Sequence, residues 1–267
     1  MGRIVSNGFS AWAGDALGRA DLLYGVSFNP MIARAFTLFK KSLRMASYFA
    51  DPGPREINWA VESLLLEHGH AASRRAGAPI DKDGKPLPWY TYSAISYLRS
   101  IDLRDKHVFE YGAGNSSFFW AQQAASVTSV EHHPGWAETV RKGKRPNQEI
   151  LLVEDRDAYV AAIRARGRKY GVIVVDGERR HSCAREALAH LEDDGLIVLD
   201  NADWWPQTTA LLREADLIEI DFTGFGPVLN NTWTTSLFLR RAVRIKPRGE
   251  RLPEYGIGAV RQVLEEK

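Results

Sequence analysis

The sequence of 267 residues contains a single cysteine, Cys183, and no long apolar run. One cysteine excludes an internal disulfide framework and a cysteine-based zinc site, and a lone reduced thiol is typical of the cytosol. The first residues lack the apolar core of a secretory signal. No apolar stretch reaches the roughly 20 residues that cross a bilayer. We therefore expect a soluble, cytoplasmic protein.

The chain also has little excess charge, with a formal net charge of +2. A strongly basic surface is the usual mark of a protein that binds nucleic acid, so we expect no nucleic-acid partner. The composition, 45% hydrophobic and 25% charged, is ordinary for a globular protein. The length suits one large α/β domain with an appendage.

Residues 1–87 are predicted to form an N-terminal helical extension. Apolar residues recur at helical spacing over 31–48, and no acidic residue occurs over 22–50. A basic amphipathic helix of this kind packs on the main domain or a partner subunit, or else lies on a membrane surface. The sequence leaves both open. A second helix is predicted over 56–67, followed by a loop over 76–88.

Residues 88–241 alternate strand-like and helix-like segments and form the predicted main domain. The strand candidates are 107–111, 127–131, 150–153, 172–176, 196–200, 217–222 and 232–239. The helix candidates are 116–124, 134–142, 157–166, 182–192 and 206–213. This alternation predicts a Rossmann-like, doubly wound, mostly parallel seven-stranded sheet.

The last two strands are joined by only nine residues, 223–231. That connection is too short for a helical crossover, so we expect an antiparallel pair at the edge of the sheet. Residues 242–267 form a basic C-terminal tail.

A glycine-rich turn follows the first strand of this domain. The strand ends near Glu110, and Gly112 and Gly114 then allow the backbone to turn sharply and approach a ligand. The next residues, Asn115 and Ser116, begin a helix and offer free N–H groups. We therefore predict that these five residues bind a cofactor.

The nature of that cofactor follows from two departures from the dinucleotide pattern. The third glycine of G-x-G-x-x-G is replaced by Ser117. The carboxylate of Glu110 would repel a pyrophosphate and suits a positively charged ligand. An NAD-linked oxidoreductase is therefore the weaker alternative.

The second strand ends in another acid, Glu131, about twenty residues beyond the glycine turn. A carboxylate at this point can accept both ribose hydroxyl hydrogens, which indicates a nucleoside ligand. His132 follows and is a candidate neighbour of the adenine, although loop histidines are more often simply exposed.

The glycine-turn segment resembles motif I of the class I S-adenosylmethionine-dependent methyltransferases. In that family the turn makes room for the amino-acid end of the cofactor, and the acid corresponding to Glu110 supports its ammonium group. The resemblance implies that Asp157, followed by Ala158, meets the adenine amino group. Asp155 is the rival for that role, and Asp157 could instead cap its helix.

Three polar residues follow the fourth and fifth predicted strands: Asp176, Asp200 and Asn201. Because neighbouring parallel strands end side by side, their oxygens could form half of a Mg²⁺ coordination shell. This pattern resembles the metal-dependent branch that includes catechol and macrolide sugar O-methyltransferases. The resemblance implies that these residues hold the metal, which lowers the pKa of the acceptor hydroxyl. Metal-free members also place acids here, so metal dependence stays open.

The residues after Asp176 depart from that branch, which carries a lysine as general base at this point. His181 is the candidate base here, with Asp176 as the other catalytic candidate. Arg179 and Arg180 either bind an anionic acceptor through bidentate contacts or are solvated.

Aromatic residues near Trp89, Trp204 and Phe225 could line an acceptor pocket. The segments together also resemble a poorly characterised bacterial branch of the methyltransferases. We expect an S-adenosylmethionine-dependent O-methyltransferase acting on a hydroxyl of a sugar, glycan or small polar metabolite. The alternatives are a methyltransferase-like binding or assembly protein without turnover, and the oxidoreductase.

Overall fold

The computed structural model describes residues 59–250 and 253–259. These residues belong to one compact unit, Trp59–Lys267. The predicted helix over 31–48 and the start of the one over 56–67 lie outside the described residues. Within the described ranges, no helix combines the length and the apolar character needed to span a bilayer.

Seven strands form a single mixed sheet in the order β3-β2-β1-β4-β5-β7-β6. In chain order they are β1 (His107–Tyr111), β2 (Ser126–Glu131), β3 (Gln148–Leu152), β4 (Tyr170–Val175), β5 (Leu191–Leu199), β6 (Ile218–Gly224) and β7 (Trp233–Leu239). The first five strands pair in parallel, and β7 lies antiparallel between β5 and β6. The predicted doubly wound sheet with an antiparallel edge pair is confirmed.

Helices lie between most of the strands. They are α1 (His70–Ala76), α2 (Tyr92–Ser100), α3 (Asn115–Ala121), α4 (Pro134–Gly143), α5 (Arg156–Ala161), α6 (Arg180–His190) and α7 (Pro206–Glu214). A 3₁₀ turn over Ala162–Arg166 extends α5, and a π-helical turn over Ser63–Glu67 precedes α1.

The sheet is covered on both faces. Successive residues of one strand enter different clusters of buried side chains: Val172 and Val174 of β4 face one cluster, whereas Ile173 and Val175 face the other. Strands that are buried on both sides have continuous apolar runs. This explains why β4 has no alternating polar pattern.

Three elements differ from the predictions, and one of them is α1 (His70–Ala76), which was not predicted. Helix α2 was missed, although the Thr91 hydroxyl caps it by accepting the Ala94 N–H. Strand β5 begins at Leu191, five residues before the predicted start. Its first residues, including Glu192, are only partly buried, so they lack the apolar signal of the strand's buried half.

The N-terminus of α5 also corrects a prediction. The Asp155 carboxylate accepts the backbone N–H groups of Asp157 and Ala158 at 3.1 and 2.8 Å, so Asp155 is the cap. The Asp157 side chain is 92% exposed and contacts Arg179 at 3.6 Å. The helix-cap role predicted for Asp157 is therefore wrong.

This arrangement predicts different effects of two neighbouring substitutions. Asp155→Ala removes the acceptor of two helix N–H groups and should lower the free energy of unfolding by about 1 kcal/mol. Asp157→Ala, the matched control, removes only an exposed charge pair and should cost less than about 0.5 kcal/mol. Urea titration followed by circular dichroism measures both, and an equal or larger loss for Asp157→Ala would contradict the assignment.

Candidate functional site

A cavity of about 490 Å³ lies at the carboxyl ends of β1, β2 and β4, within the size range of small-molecule sites. Its walls come from the loop after α1, the residue Trp89 before α2, the turns after β1, β2 and β4, and the first turns of α3 and α4. The lining residues are Gly77, Ala78, Pro79, Trp89, Gly112, Ala113, Gly114, Asn115, Ser116, Glu131, His132, Trp136, Asp176, Gly177 and Glu178. The cavity thus brings together most of the predicted cofactor residues and Asp176.

The turn after β1 requires glycine at its first position. Gly112 has a φ of +95°, and a Cβ there would lie 2.8 Å from the Cα of Gly177. The turns after β1 and β4 therefore touch backbone to backbone. Because Asp176 precedes Gly177, this contact fixes the Asp176 carboxylate beside the glycine turn.

Glu110 lies directly behind this turn and is fully buried; it does not line the cavity. Its Oε2 accepts hydrogen bonds from the hydroxyls of Ser117 and Ser129, the latter at 2.6 Å. Its Oε1 has no hydrogen-bond partner among the described residues. Burial raises the pKa of Glu110 to about 7, against the opposing effect of the serine hydroxyls. A cationic ligand nearby would stabilise the ionised form.

Glu131 ties the end of β2 to the glycine turn and faces the cavity. Its Oε1 accepts the N–H groups of His132 and His133, each at 2.9 Å, and its Oε2 accepts the Ala113 N–H at 3.1 Å. A carboxylate oxygen has two lone pairs, so Oε2 keeps one acceptor position for a ligand hydroxyl.

His132 sits between two carboxylates. Its Nδ1 lies 3.2 Å from Glu131 Oε1, and its Nε2 lies 3.3 Å from Glu178 Oε1. Both acids line the cavity beside it. Its ring therefore connects the tip of β2 to the turn after β4.

One wall of the cavity was not predicted. Trp136, in the first turn of α4, donates its indole N–H to the Ala113 carbonyl at 2.6 Å and lines the cavity. Asn115 donates to the Pro79 carbonyl at 2.7 Å, which holds the loop after α1 over the turn. The sequence signal for Trp136 was its place three residues after His133, the cap of α4.

The charged residues that line the cavity all have one sign. Glu131, Asp176 and Glu178 are acidic, and the described lining contains no lysine or arginine. Such a site attracts a cation and repels a pyrophosphate. The geometry therefore disfavours the NAD-linked alternative.

The strand-end oxygens predicted to bind Mg²⁺ surround an arginine instead. Arg180, the first residue of α6, donates to Asp176 Oδ1 at 2.9 Å, to Asn201 Oδ1 at 3.1 Å and to the Asp200 carbonyl. Its side chain is 12% exposed and stacks on Trp205 with its guanidinium carbon 5.6 Å from the ring centre. The anion-binding role predicted for Arg180 has no support, because its donors are already engaged.

Asp200 is also committed to protein donors. Its Oδ1 accepts hydrogen bonds from Trp233 Nε1 at 3.1 Å and Thr235 Oγ1 at 2.6 Å. Burial raises the pKa of Asp200, and the Asp176 carboxylate raises it further. Among the described residues, no group of three or more histidine, cysteine or acidic side chains is arranged to hold a metal. The residues present do not fit a Mg²⁺ ion, since a guanidinium lies where it would bind.

Asp176 differs from Asp200 because it lines the cavity. Burial raises its pKa to about 6, while the Arg180 guanidinium opposes this increase. A carboxylate with a pKa close to neutrality can exchange a proton with a ligand near physiological pH.

Besides Glu110, which lies behind the turn, five predicted site residues do not line the cavity: His181, Asp157, Ala158, Asp200 and Asn201. The His181 ring nitrogens instead lie 3.1 Å from Arg185 Nη2 and 3.5 Å from Thr208 Oγ1, on the side of α6 that faces α7. The geometry gives His181 no access to a ligand in the cavity. The adenine contact of Asp157 and Ala158 stays a prediction.

Comparison with known proteins gives matches among solved structures alone. No protein-family model and no curated protein matches the chain. Among solved structures, the Geobacter metallireducens precorrin-6y C5,15-methyltransferase is 12% identical, with a TM-score of 0.44 over 55% of this chain and 86% of that one. The Bradyrhizobium japonicum N-methyltransferase NodS gives 12% identity and a TM-score of 0.39 over 54% and 88%. The Methanococcus jannaschii fibrillarin pre-rRNA processing protein gives 15% and 0.46 over 58% and 76%.

The environment of Glu110 predicts a pH-dependent stability. Its pKa rises from the ordinary 4.5 to about 7 on folding. Between these two pH values, Glu110 is protonated in the folded state and ionised in the unfolded state. The resulting stabilisation is complete below pH 4.5 and disappears as the pH rises through 7. At about 1.4 kcal/mol per unit, this amounts to roughly 3 kcal/mol.

Glu110→Gln cannot titrate and should lack this loss. As the pH rises from 4.5 to 7, the free energy of unfolding of the wild type should therefore fall relative to that of Glu110→Gln. Chemical denaturation across that range measures it, with Glu138→Gln on the exposed face of α4 as the control. Parallel pH profiles for wild type and Glu110→Gln would show that Glu110 ionises normally.

Proposed function

We propose that the chain is an S-adenosylmethionine-dependent methyltransferase. The observation that carries the proposal is the acidic cavity at the carboxyl ends of β1, β2 and β4, which is lined by the glycine turn and by Glu131, whose carboxylate is hydrogen-bonded to that turn. Its size and single sign of charge suit a positively charged nucleoside. When bound, S-adenosylmethionine supplies an activated methyl group for transfer.

Different residues of the chain would hold different parts of that cofactor. The free acceptor position on Glu131 suits the ribose hydroxyls. The turn from Gly112 to Gly114 and the Ser116 side chain leave room for the amino-acid end. The negative field of Glu110, 0% exposed behind the turn, favours an ammonium group there. Trp136 offers an aromatic face.

Asp176 is the proposed general base toward an acceptor hydroxyl. It lines the cavity, and its pKa of about 6 leaves it ionised at neutral pH and able to take a proton. Arg180 orients the carboxylate through Oδ1. The acceptor class we propose is a hydroxyl of a sugar, glycan or small polar metabolite. Arg180 supplies the positive charge beside Asp176 in the place of a metal, so we propose no metal-dependent step.

Cofactor binding can be tested without knowing the acceptor. Calorimetry with S-adenosylhomocysteine should give a dissociation constant in the micromolar range. Glu131→Gln should weaken binding at least about tenfold, since it loses a charge-assisted hydrogen bond. Glu154→Gln, an exposed acid beyond β3 that does not line the cavity, is the control. Binding of NADH but not of S-adenosylhomocysteine would refute the proposal.

The role of Arg180 as the cation beside Asp176 and Asp200 predicts the effect of its replacement on stability. Arg180→Met leaves Asp176 and Asp200 buried without a cation and should lower the free energy of unfolding by about 3 kcal/mol. Arg179→Met, at the neighbouring and more exposed position, should cost less than about 1 kcal/mol.

The same variants separate an arginine site from a metal site. Added Mg²⁺ should leave the melting temperature of the wild type unchanged, and a chelator should leave its S-adenosylhomocysteine affinity unchanged. Stabilisation of the wild type by Mg²⁺, lost in Asp176→Asn, would show that the strand-end oxygens bind the metal with Arg180 displaced.

A further inference from the structure

A second cavity, of about 450 Å³, shares no residue with the acidic one. It lies where α3 ends and β3 begins, and we call it the basic groove. Its lining residues are Lys85, Pro86, Arg99, Phe119, Ala121, Gln122, Gln123, Arg145 and Arg248. Because a crossover helix returns the chain to the starting edge of the strands, the C-terminal end of α3 places the groove at the edge of the sheet opposite the acidic cavity.

The charged residues that line the groove are all cations: Lys85, Arg99, Arg145 and Arg248. No carboxylate lines it. None of the four forms an ion pair with a carboxylate in residues 59–250 and 253–259. Elsewhere in the described chain, arginines such as Arg104, Arg164 and Arg213 do pair with acids. The groove therefore concentrates uncompensated positive charge.

Asp81 is the acid that acts electrostatically on a cation of the groove, but it does not neutralise the positive charge of the groove. Asp81 acts electrostatically on Arg99, but its Oδ1 accepts the backbone N–H groups of Asp83 and Lys85 at 2.9 Å each. It lines a different depression and not the groove. In the described part of the chain, no ion pair joins Asp81 to any of the four cations.

Gln123 adds an independent observation. It is 4% exposed, and its Oε1 accepts a hydrogen bond from Arg248 at 3.2 Å. Since a guanidinium only donates, the oxygen must face Arg248. The amide Nε2 then points elsewhere, and it has no partner among the described residues. The protein covers this amide nitrogen, so Gln123 contributes to the groove by orienting Arg248 and not by contacting a ligand.

Arg248 is held in place by its own backbone. Its N–H donates to the Ser100 carbonyl at 2.7 Å, and Ile101 pairs with Pro247 in an isolated antiparallel bridge. The segment after β7 is thereby fixed beside the end of α2. A cation on an anchored backbone loses less conformational freedom when it binds a ligand.

We propose that the basic groove binds a phosphate group of a small phosphorylated ligand. Arginine guanidinium groups match phosphate oxygens in bidentate geometry, and the Gln123 carbonyl orients Arg248 through its hydrogen bond at 3.2 Å. The enclosed volume suits one phosphorylated molecule, whereas the net charge of +2 for the whole chain does not suit a nucleic-acid duplex. The site is independent of the proposed methyltransferase activity.

Calorimetry with inorganic pyrophosphate at low ionic strength tests the proposal on the whole protein. One saturable site is expected, with an affinity that falls as salt is added. Arg145→Ser, an exposed position outside regular structure, should weaken binding at least fivefold. Gln123→Glu keeps the acceptor for Arg248 but places a negative charge beside it, and should weaken binding at least tenfold.

Lys142→Ser is the matched control, because Lys142 is exposed on α4 near Arg145 and does not line the groove. It should change the affinity less than twofold, and all variants should retain the wild-type circular dichroism spectrum. Absence of binding, or equal losses for Lys142→Ser and Arg145→Ser, would overturn the proposal. The Arg145 result decides the matter if Gln123→Glu does not fold.

A second pair of measurements distinguishes the sources of the phosphate. Glycerol 3-phosphate represents a soluble phosphate ester, and phosphatidylcholine vesicles containing phosphatidic acid represent a lipid headgroup. Binding of the soluble ester with sensitivity to Arg145→Ser supports the small ligand proposed. Sedimentation with the vesicles alone, without binding of the ester, would replace it with a membrane surface.

Discussion

The burial of carboxylates at the carboxyl ends of parallel strands is the constraint on which the site depends. An isolated buried charge is costly unless it is paired or hydrogen-bonded. Each acid meets this cost differently: Glu131 accepts backbone N–H groups, Glu110 accepts serine hydroxyls, and Asp176 binds a guanidinium. The backbone N–H and hydroxyl donors carry no full positive charge, so the cavity keeps a negative field. This field is what selects a cationic ligand.

Arg180 shows how one side chain can change the chemistry that a strand-end pattern implies. The sequence places three oxygen-bearing side chains at strand ends, where the metal-dependent O-methyltransferases that it resembles bind a metal. The order of the elements gives no reason to reject a metal site. The guanidinium fills that position from the first turn of α6 and binds carbonyl oxygens as well as side chains. Arg180 begins α6 four residues after Asp176, and an arginine so close to a strand-end acid is the signal that sequence reasoning could have used.

The sequence alone was sufficient to predict the strands where burial determines the residue type. The continuous apolar runs of β4 and the second half of β5 locate strands covered on both faces, and the order of the strands follows from their alternation with helices. Boundaries failed where burial is partial, as at the start of β5. Helix α2 was missed because its apolar face, with Ile95 and Leu98, follows an aromatic segment that suggested a pocket. Side-chain direction, as for His181 and Trp136, depends on packing between elements that are distant in sequence.

The two cavities lie at opposite ends of α3, and their charges match its dipole. A helix carries partial positive charge at its N-terminus and partial negative charge at its C-terminus. The acidic cavity adjoins the first residues of α3, and the basic groove adjoins its end, where Arg248 donates to the Gln122 carbonyl at 3.3 Å. Stabilisation of the helix can therefore explain Arg248. It does not explain Arg145, which lines the groove from the segment before β3. Arg145 therefore distinguishes a binding site from a helix end that is merely well capped.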